Sequence, residues 1–337
     1  MKQTSKTSQS NSIACCLEYL ELFLQEEIKE KLNKNSEKIS PERIIIKAKL
    51  EELKQLQMPT IIYNFITKIN FKDLNSLINN FPKINVEETF KVSVIKTENT
   101  YLDSQETKEK IGELILNTNK TKVDLKEPKT TILLDFNKNE LIIGSNPIDL
   151  TKRQYHIKTI PQAANPTIAF LVSYCIKPKN NEVIIDPNCR DGQIILEAYN
   201  YLKSNKIYAS SKYYPHTNAT TINSKIIKAK IKISQHDIEF LDTIFEKNSI
   251  NKIITHLPTK TKKNSEKSIK KLYNQFFSVA EYILKDNGLI SILTHSPNNI
   301  LEKEVEKFFK IKEKIITKKG STNYQIIVIG KKTTQNL

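Results

Sequence analysis

The sequence predicts an α/β protein, a mixed α+β first part followed by a doubly wound, mostly parallel sheet. Three observations predict it. From residue 182 onward strand-like and helix-like segments alternate, the pattern of parallel strands joined by helical crossovers. Before residue 150 strands and helices mix in no such order. The charge changes at the same place: residues 1 to 150 hold 22 Lys+Arg and 22 Asp+Glu, whereas residues 151 to 337 hold 31 and 15, the whole net charge of +16.

Taken in order, residues 1 to 12 are short, polar and aperiodic, and read as a disordered tail. Residues 13 to 33 place Leu17, Leu20, Phe23, Leu24 and Ile28 at helical spacing. A strand-like RIIIKAKL follows at 43 to 50, and residues 58 to 82 combine β-branched runs with the helical FKDLNSLINNF. Residues 90 to 97 alternate like a half-buried strand. Residues 104 to 117 form a helix opening on Ser104 as its N-cap, with Ile111, Leu114 and Ile115 on one face. TTILLDF (130 to 136) and ELIIGS (140 to 145) are strands across the turn NKNE. The second half then runs EVIID, IILEAYNYLK, KIYAS, TTINSKIIKAK, IKISQHD, IEFLDTIFEK, NKIITHL, IKKLYNQFFSVAEYILK and GLISILT. A helix and a basic connection lead to the last strand, 324 to 332.

Composition narrows the function. An excess of 16 positive charges, confined to the second half, favours a polyanionic partner, nucleic acid foremost. A lysine-rich composition that merely decorates solvated faces would have acted on both halves alike. No window has 18 consecutive apolar residues, and the polar N-terminus lacks the form of a secretory signal. Cys15, Cys16, Cys175 and Cys189 contain no CxxC spacing, which argues against a disulfide framework or zinc ribbon and for a reducing, cytoplasmic setting. His156, His216, His236, His256 and His295 form no pair at ligand spacing, so no metal is expected.

In a doubly wound sheet the ligand lies at the carboxyl ends of the strands. Three such ends carry candidate chemistry. Asp186-Pro187-Asn188-Cys189-Arg190-Asp191-Gly192 follows EVIID and precedes a helix whose first amides can receive a carboxylate. With Gly192 as its one glycine, the loop is neither a P-loop nor a dinucleotide fingerprint. Asp237 follows IKISQH, and Thr255-His256-Leu257-Pro258 is a rigid turn after KIIT. The bland reading of Asp186 and Asp237 is a helix-capping or turn carboxylate, and that of His256 a satisfied turn histidine. Tyr273, Phe276, Phe277 and Tyr282 lie on a strongly amphipathic helix and read as core.

The Asp-Pro-x-Cys-x-x-Gly order, then Ile195-Leu196-Glu197-Ala198, a strand-end Asp and a Leu-Pro turn, resembles the S-adenosylmethionine-dependent methyltransferase domain of THUMP-containing RNA methyltransferases, in the branch that methylates N2 of guanosine in tRNA. Ser104-Gln105-Glu106, Ile111-Gly112 and Val123-Asp124-Leu125-Lys126-Glu127-Pro128 are similar to the THUMP signature. Residues 152 to 174 resemble the linker and first helix of the catalytic domain. The resemblance implies a ferredoxin-like domain at 13 to 85, a THUMP domain at 86 to 150, a linker and helix at 151 to 180, and a Rossmann-like class I methyltransferase domain at 181 to 333. It implies that the THUMP module engages tRNA while the second domain binds S-adenosylmethionine and the target base. Asp186, Asn188, Cys189 and Gly192 would line the methionine, Ser211 would face the ribose, Asp237 and Ile238 would flank the adenine, and Asn165 and Pro166 would cover the cofactor. His256, Leu257, Pro258 and Thr259 fall on the turn that holds the exocyclic amine. Lys152, Arg153, Lys260, Lys262 and Lys263 are the expected phosphate contacts.

Four positions depart from that pattern. Arg190 stands for the first loop glycine, Ser211 for the ribose-binding acid, His256 for an Asn or Asp, and Thr259 for an aromatic ring that stacks on the base. The expected function is therefore methyl transfer to an exocyclic amine of guanosine in tRNA, set against the alternative of an inactive relative that binds tRNA as a partner or chaperone.

Overall fold

The structure, a computed structural model, describes residues 11–332 except 87, 97–100, 120, 162, 205 and 263. The chain divides into two compact units, Met1–Leu150 and Thr151–Leu337.

The first unit contains β1 (Asn11–Cys15), α1 (Glu21–Leu32), β2 (Ser36–Ser40), β3 (Arg43–Lys47), α2 (Leu50–Leu53), β4 (Ile61–Asn70), α3 (Leu74–Asn79), β5 (Thr89–Lys96), α4 (Ser104–Thr118), β6 (Lys122–Val123), β7 (Thr130–Asn137) and β8 (Glu140–Asp149). Its strands form one sheet in the order β2-β3-β1-β4-β8-β7-β5-β6. The expected boundary at 85/86 falls inside this unit, whose sheet is continuous through the antiparallel pairing of β4 with β8. Gly144 of β8 is required there: a Cβ would meet the Tyr63 ring at 2.2 Å and the Asn64 carbonyl at 2.7 Å. Beneath the sheet, Arg43 of β3 grips the buried Asp135 of β7 with Nη2 at 2.6 Å and Nε at 3.0 Å, and the Tyr63 hydroxyl donates to the same carboxylate at 2.7 Å.

Two expectations change here. Residues 13 to 33 are not one helix, because Asn11–Cys15 pairs antiparallel with both β3 and β4. Tyr19 at φ 66° breaks the backbone before α1 starts at Glu21, and the strand takes in Asn11 and Ser12 of the expected tail. The rest of that tail lies outside the described residues. The cap of α4 is Asp103, whose carboxylate accepts the Glu106 N–H at 2.8 Å, with Ser104 as the first helical residue.

The second unit contains α5 (Pro166–Tyr174), β9 (Ile184–Asp186), α6 (Gln193–Leu202), β10 (Ile207–Ser210), α7 (Tyr214–Ile226), β11 (Ile231–Ser234), β12 (Ile250–His256), α8 (Glu266–Ile283), β13 (Leu284–His295), α9 (Asn299–Phe308), β14 (Phe309–Lys319) and β15 (Thr322–Lys331). The order is β11-β10-β9-β12-β13-β15-β14. The first five strands are parallel, while β15 runs antiparallel to both β13 and β14. The segment IEFLDTIFEK makes a 3-10 turn, Ile238–Thr243, instead of a crossover helix. The expected basic connection is β14, an edge strand whose FKIKEKIITKK sequence pairs along its length with β15. Tyr273, Phe276 and Phe277 of α8 are buried in the core, whereas Tyr282 is 44% exposed and lies outside it.

From β9 the chain adds β10 and β11 on one side, and after β11 it crosses back to add β12 on the other side of β9. The carboxyl ends of β9 and β12 therefore open side by side at the switch point, where such sheets place their ligand.

Candidate active site

The loop after β9 is held from below by its own acids. Asp186 is buried and accepts the Asn188 N–H at 3.0 Å. Burial pushes its carboxyl up to about 7, against the pull of that N–H and the nearby Arg190 charge. Asp191, also buried, bonds His156 Nε2 at 2.7 Å, and its carbonyl accepts from Asn223 at 2.8 Å. Arg190 holds φ 50° and Gly192 φ 84°, so both take the left-handed backbone that glycine tolerates best. A Cβ on Gly192 would also meet Thr220 Cγ2 at 2.8 Å.

The turn after β12 is tied to this loop. Asn188 Nδ2 donates to the His256 carbonyl at 2.7 Å, and the Tyr273 hydroxyl donates to the Pro258 carbonyl at 2.6 Å. The His256 ring is buried, and its Nδ1 has no hydrogen-bond partner among the described residues. Burial, with the positive Arg190 and the neighbouring His295, holds its pKa well below the ordinary histidine value, so the ring is neutral. His295 lies edge-on to it at 6.1 Å.

Between these walls lies a cleft of about 530 Å³. Asn188 and Arg190 come from the β9 loop, Lys212, Tyr213 and His216 from the end of β10 and the start of α7, Asp237 and Ile238 from the end of β11, and Leu257 and Pro258 from the turn. Asp237 accepts the Ile238 N–H at 2.7 Å and has Lys212 Nζ at 3.5 Å.

The family comparisons divide the chain along the same lines. Residues 68–146 match the THUMP domain, and residues 153–323 match the RMKL-like methyltransferase domain. The chain belongs to the RMKL-like methyltransferase domain family. It is similar to the tRNA (guanine(6)-N2)-methyltransferase of Methanocaldococcus jannaschii, 26% identical over 233 residues that make up 57% of this chain and 61% of that protein. It is also similar to the tRNA (guanine(10)-N2)-dimethyltransferase of the same organism, 25% identical over 289 residues, 80% of this chain and 79% of that protein. Among solved structures, TrmN from Thermus thermophilus aligns with TM-score 0.79 at 19% identity over 96% of this chain and 99% of that one. SMU.472, solved complexed with SAH, aligns with TM-score 0.73 at 14% identity over 97% and 99%. These likenesses show the fold.

Within the methyltransferase domain the cleft brings together Asn188, Asp237, Ile238, Leu257 and Pro258 of the expected site. Asp186, Cys189 and His256 lie buried beside it, and burial pushes the Cys189 thiol up, away from nucleophilic use. Asn165 and Pro166 do not cover the cleft. Asn165 caps α5 by accepting the Thr167 N–H at 3.1 Å, and Ile160 and Pro161 line the cleft instead. Arg153 is not turned outward to a phosphate: its Nε and Nη2 lie 2.7 and 3.3 Å from the fully buried Glu197, which also bonds Tyr155. Lys152 and Lys262 are exposed, as is Lys260, which lies 3.4 Å from Glu266, and Lys263 lies outside the described residues. Lys212, Tyr213 and His216 were not singled out from the sequence. They follow a strand end as Asp186, Asp237 and His256 do, and that rule applied to KIYAS would have found them.

Proposed function

We propose that this chain transfers a methyl group from S-adenosylmethionine to the exocyclic N2 amine of a guanosine in tRNA, in the cytoplasm. The family, the printed activities of the two Methanocaldococcus jannaschii relatives and the SAH complex of SMU.472 support the reaction class. The observation that supports it within this chain is the cleft at the strand ends, which brings Asn188, Asp237, Ile238, Leu257 and Pro258 together beside the turn where an amine would be held.

The residues present fit the cofactor. A cleft of about 530 Å³ is within the range of small-molecule sites. Arg190 is the loop's own cation at the place expected to receive a methionine carboxylate, and Asp237 with Ile238 offers an acceptor and an apolar wall to an adenine. When bound, S-adenosylmethionine supplies an activated methyl group on its sulfonium.

The protein's part is to hold the amine in line, since positioning is the main lever in such a transfer. His256, buried beside the cleft, holds the turn in place through its carbonyl, which accepts from Asn188 Nδ2 at 2.7 Å. The Pro258 carbonyl gives one lone pair to Tyr273 and keeps the second for an N–H of the amine. Thr259 supplies no stacking ring, so the guanosine depends on hydrogen bonds to the turn and on phosphate contacts such as Lys152, Lys260 and Lys262 in the basic second half of the chain.

The test is methyl incorporation from labelled S-adenosylmethionine into tRNA transcripts carrying guanosine at positions 6 and 10, the positions named for the two relatives. Replacing the target guanosine by inosine, which lacks the N2 amine, should abolish incorporation. Tight tRNA binding with no incorporation into any transcript would overturn the proposal in favour of an inactive tRNA-binding relative.

A further inference from the structure

The cleft wall after β10 presents a hydrogen-bond donor where a ribose-binding acid would present an acceptor. Ser211 is buried, its Oγ accepts the Tyr213 N–H at 3.3 Å and lies 3.1 Å from His216 Nδ1. In the tautomer on which the proposal below rests, the serine donates its hydroxyl proton to that nitrogen. A neutral imidazole that accepts at Nδ1 carries its proton on Nε2. His216 is half-buried and lines the cleft, so Nε2–H is its remaining polar group there. The Tyr213 ring, 5.1 Å from the His216 ring, packs against it, and Lys212 Nζ lies 5.3 Å from the Tyr213 ring centre. Serine and tyrosine together fix the ring's orientation.

We propose that His216, oriented by Ser211, binds the ribose of the cofactor by donating one hydrogen bond from Nε2 to one hydroxyl oxygen. This rests on the methyltransferase reading of the cleft. A carboxylate accepts from both ribose hydroxyls at once, whereas a single N–H reaches one oxygen. The two readings therefore differ in how they treat deoxynucleosides. An acid at this wall penalises loss of either hydroxyl, and His216 penalises loss of only one.

The experiment measures SAH binding to the full chain by calorimetry, then displacement by adenosine, 2′-deoxyadenosine and 3′-deoxyadenosine. One deoxynucleoside should bind about 5- to 10-fold more weakly than adenosine, and the other like adenosine. In His216→Ala that ratio should fall to about 1, and in Ser211→Ala, which frees the ring, it should shrink. These ratios are internal to each variant, so an overall loss of stability does not move them. Equal binding of all three nucleosides to the natural chain, or penalties for both deoxynucleosides, overturns the proposal while SAH binding leaves the methyltransferase reading standing. Absence of binding by SAH and adenosine alike overturns both.

Discussion

Replacing Arg190 by glycine should raise stability and lower cofactor affinity. Arg190 holds φ 50°, a conformation that costs an L-residue roughly 1–2 kcal/mol and glycine almost nothing. Burial depresses the Arg190 pKa, which shows that its charge is held at a cost, with Asp186 and Asp191 offsetting part of it. Removing the cation drives the Asp186 carboxyl above its present value of about 7, so at neutral pH it becomes protonated and leaves no new bare charge. The net expectation is a gain of about 1 kcal/mol, a rise of about 2–4 °C in Tm for a unit of this size. Affinity moves the other way. A hydrogen bond to a charged group is worth about 1.5–3 kcal/mol, so losing the contact with the methionine carboxylate should weaken S-adenosylmethionine about 10- to 100-fold. Thermal unfolding and calorimetric titration of the same preparations read both signs. If the glycine variant binds the cofactor more tightly than the natural chain, Arg190 fills the site instead of serving it, and the assignment of Arg190 to the carboxylate is refuted.

Gly192→Ala should cost about 1–3 kcal/mol in urea unfolding, since φ 84° is strained for alanine and the added Cβ meets Thr220 Cγ2 at 2.8 Å; Thr220→Ser should relieve only the second part. Arg153→Ala should cost about 3–5 kcal/mol, because it leaves the fully buried Glu197 without its cation, and a combined Arg153→Met, Glu197→Leu variant should recover most of that loss. His256, His216 and His295 are all held below the ordinary histidine pKa of 6.5, so each contributes stability that is present above pH 6.5 and lost as the pH falls toward the folded-state values; His256→Asn should flatten the acid side of a urea-midpoint profile between pH 5 and 7. Asp186 has the opposite sign, its stability present below pH 3.8 and lost as the pH rises through about 7, so Asp186→Asn should gain stability at pH 8 relative to the natural chain and show no such gain at pH 4.

The second unit was legible because its strands are buried runs separated by amphipathic helices, and periodicity reports burial directly. β14 escaped that signal. As an edge strand it carries Lys310, Lys312 and Lys314 on alternate exposed positions, and the alternation is interrupted by Glu313, where the register with β15 shifts. β1 was hidden by Leu17–Ile28, whose helical spacing runs back into Ile13–Cys15, with the break falling at Tyr19, a residue that does not announce a left-handed backbone. The strand-end rule picks out Asp186, Asp237 and His256 because topology alone places them at the carboxyl ends of β9, β11 and β12. It had no means of assigning Arg153, whose charge looks the same whether it meets a phosphate or a buried glutamate 44 residues away.

The four departures from the family pattern are physically coupled. A cation at position 190 lowers the pKa of His256, His216 and His295, in addition to their own burial. A neutral His216 is what the departure at position 211 requires. Ser211 can donate to His216 only while Nδ1 is unprotonated. An acid at position 211 would instead stabilise a protonated His216 and compete with the ligand carboxylate for Arg190. With serine there, no added carboxylate offsets the effect of Arg190, and the histidines stay neutral down to lower pH. The loss of the ring at Thr259 is the one change this coupling does not touch. On the proposed reading, a guanosine held without a stacking ring would depend on hydrogen bonds to the turn, foremost on the second lone pair of the Pro258 carbonyl.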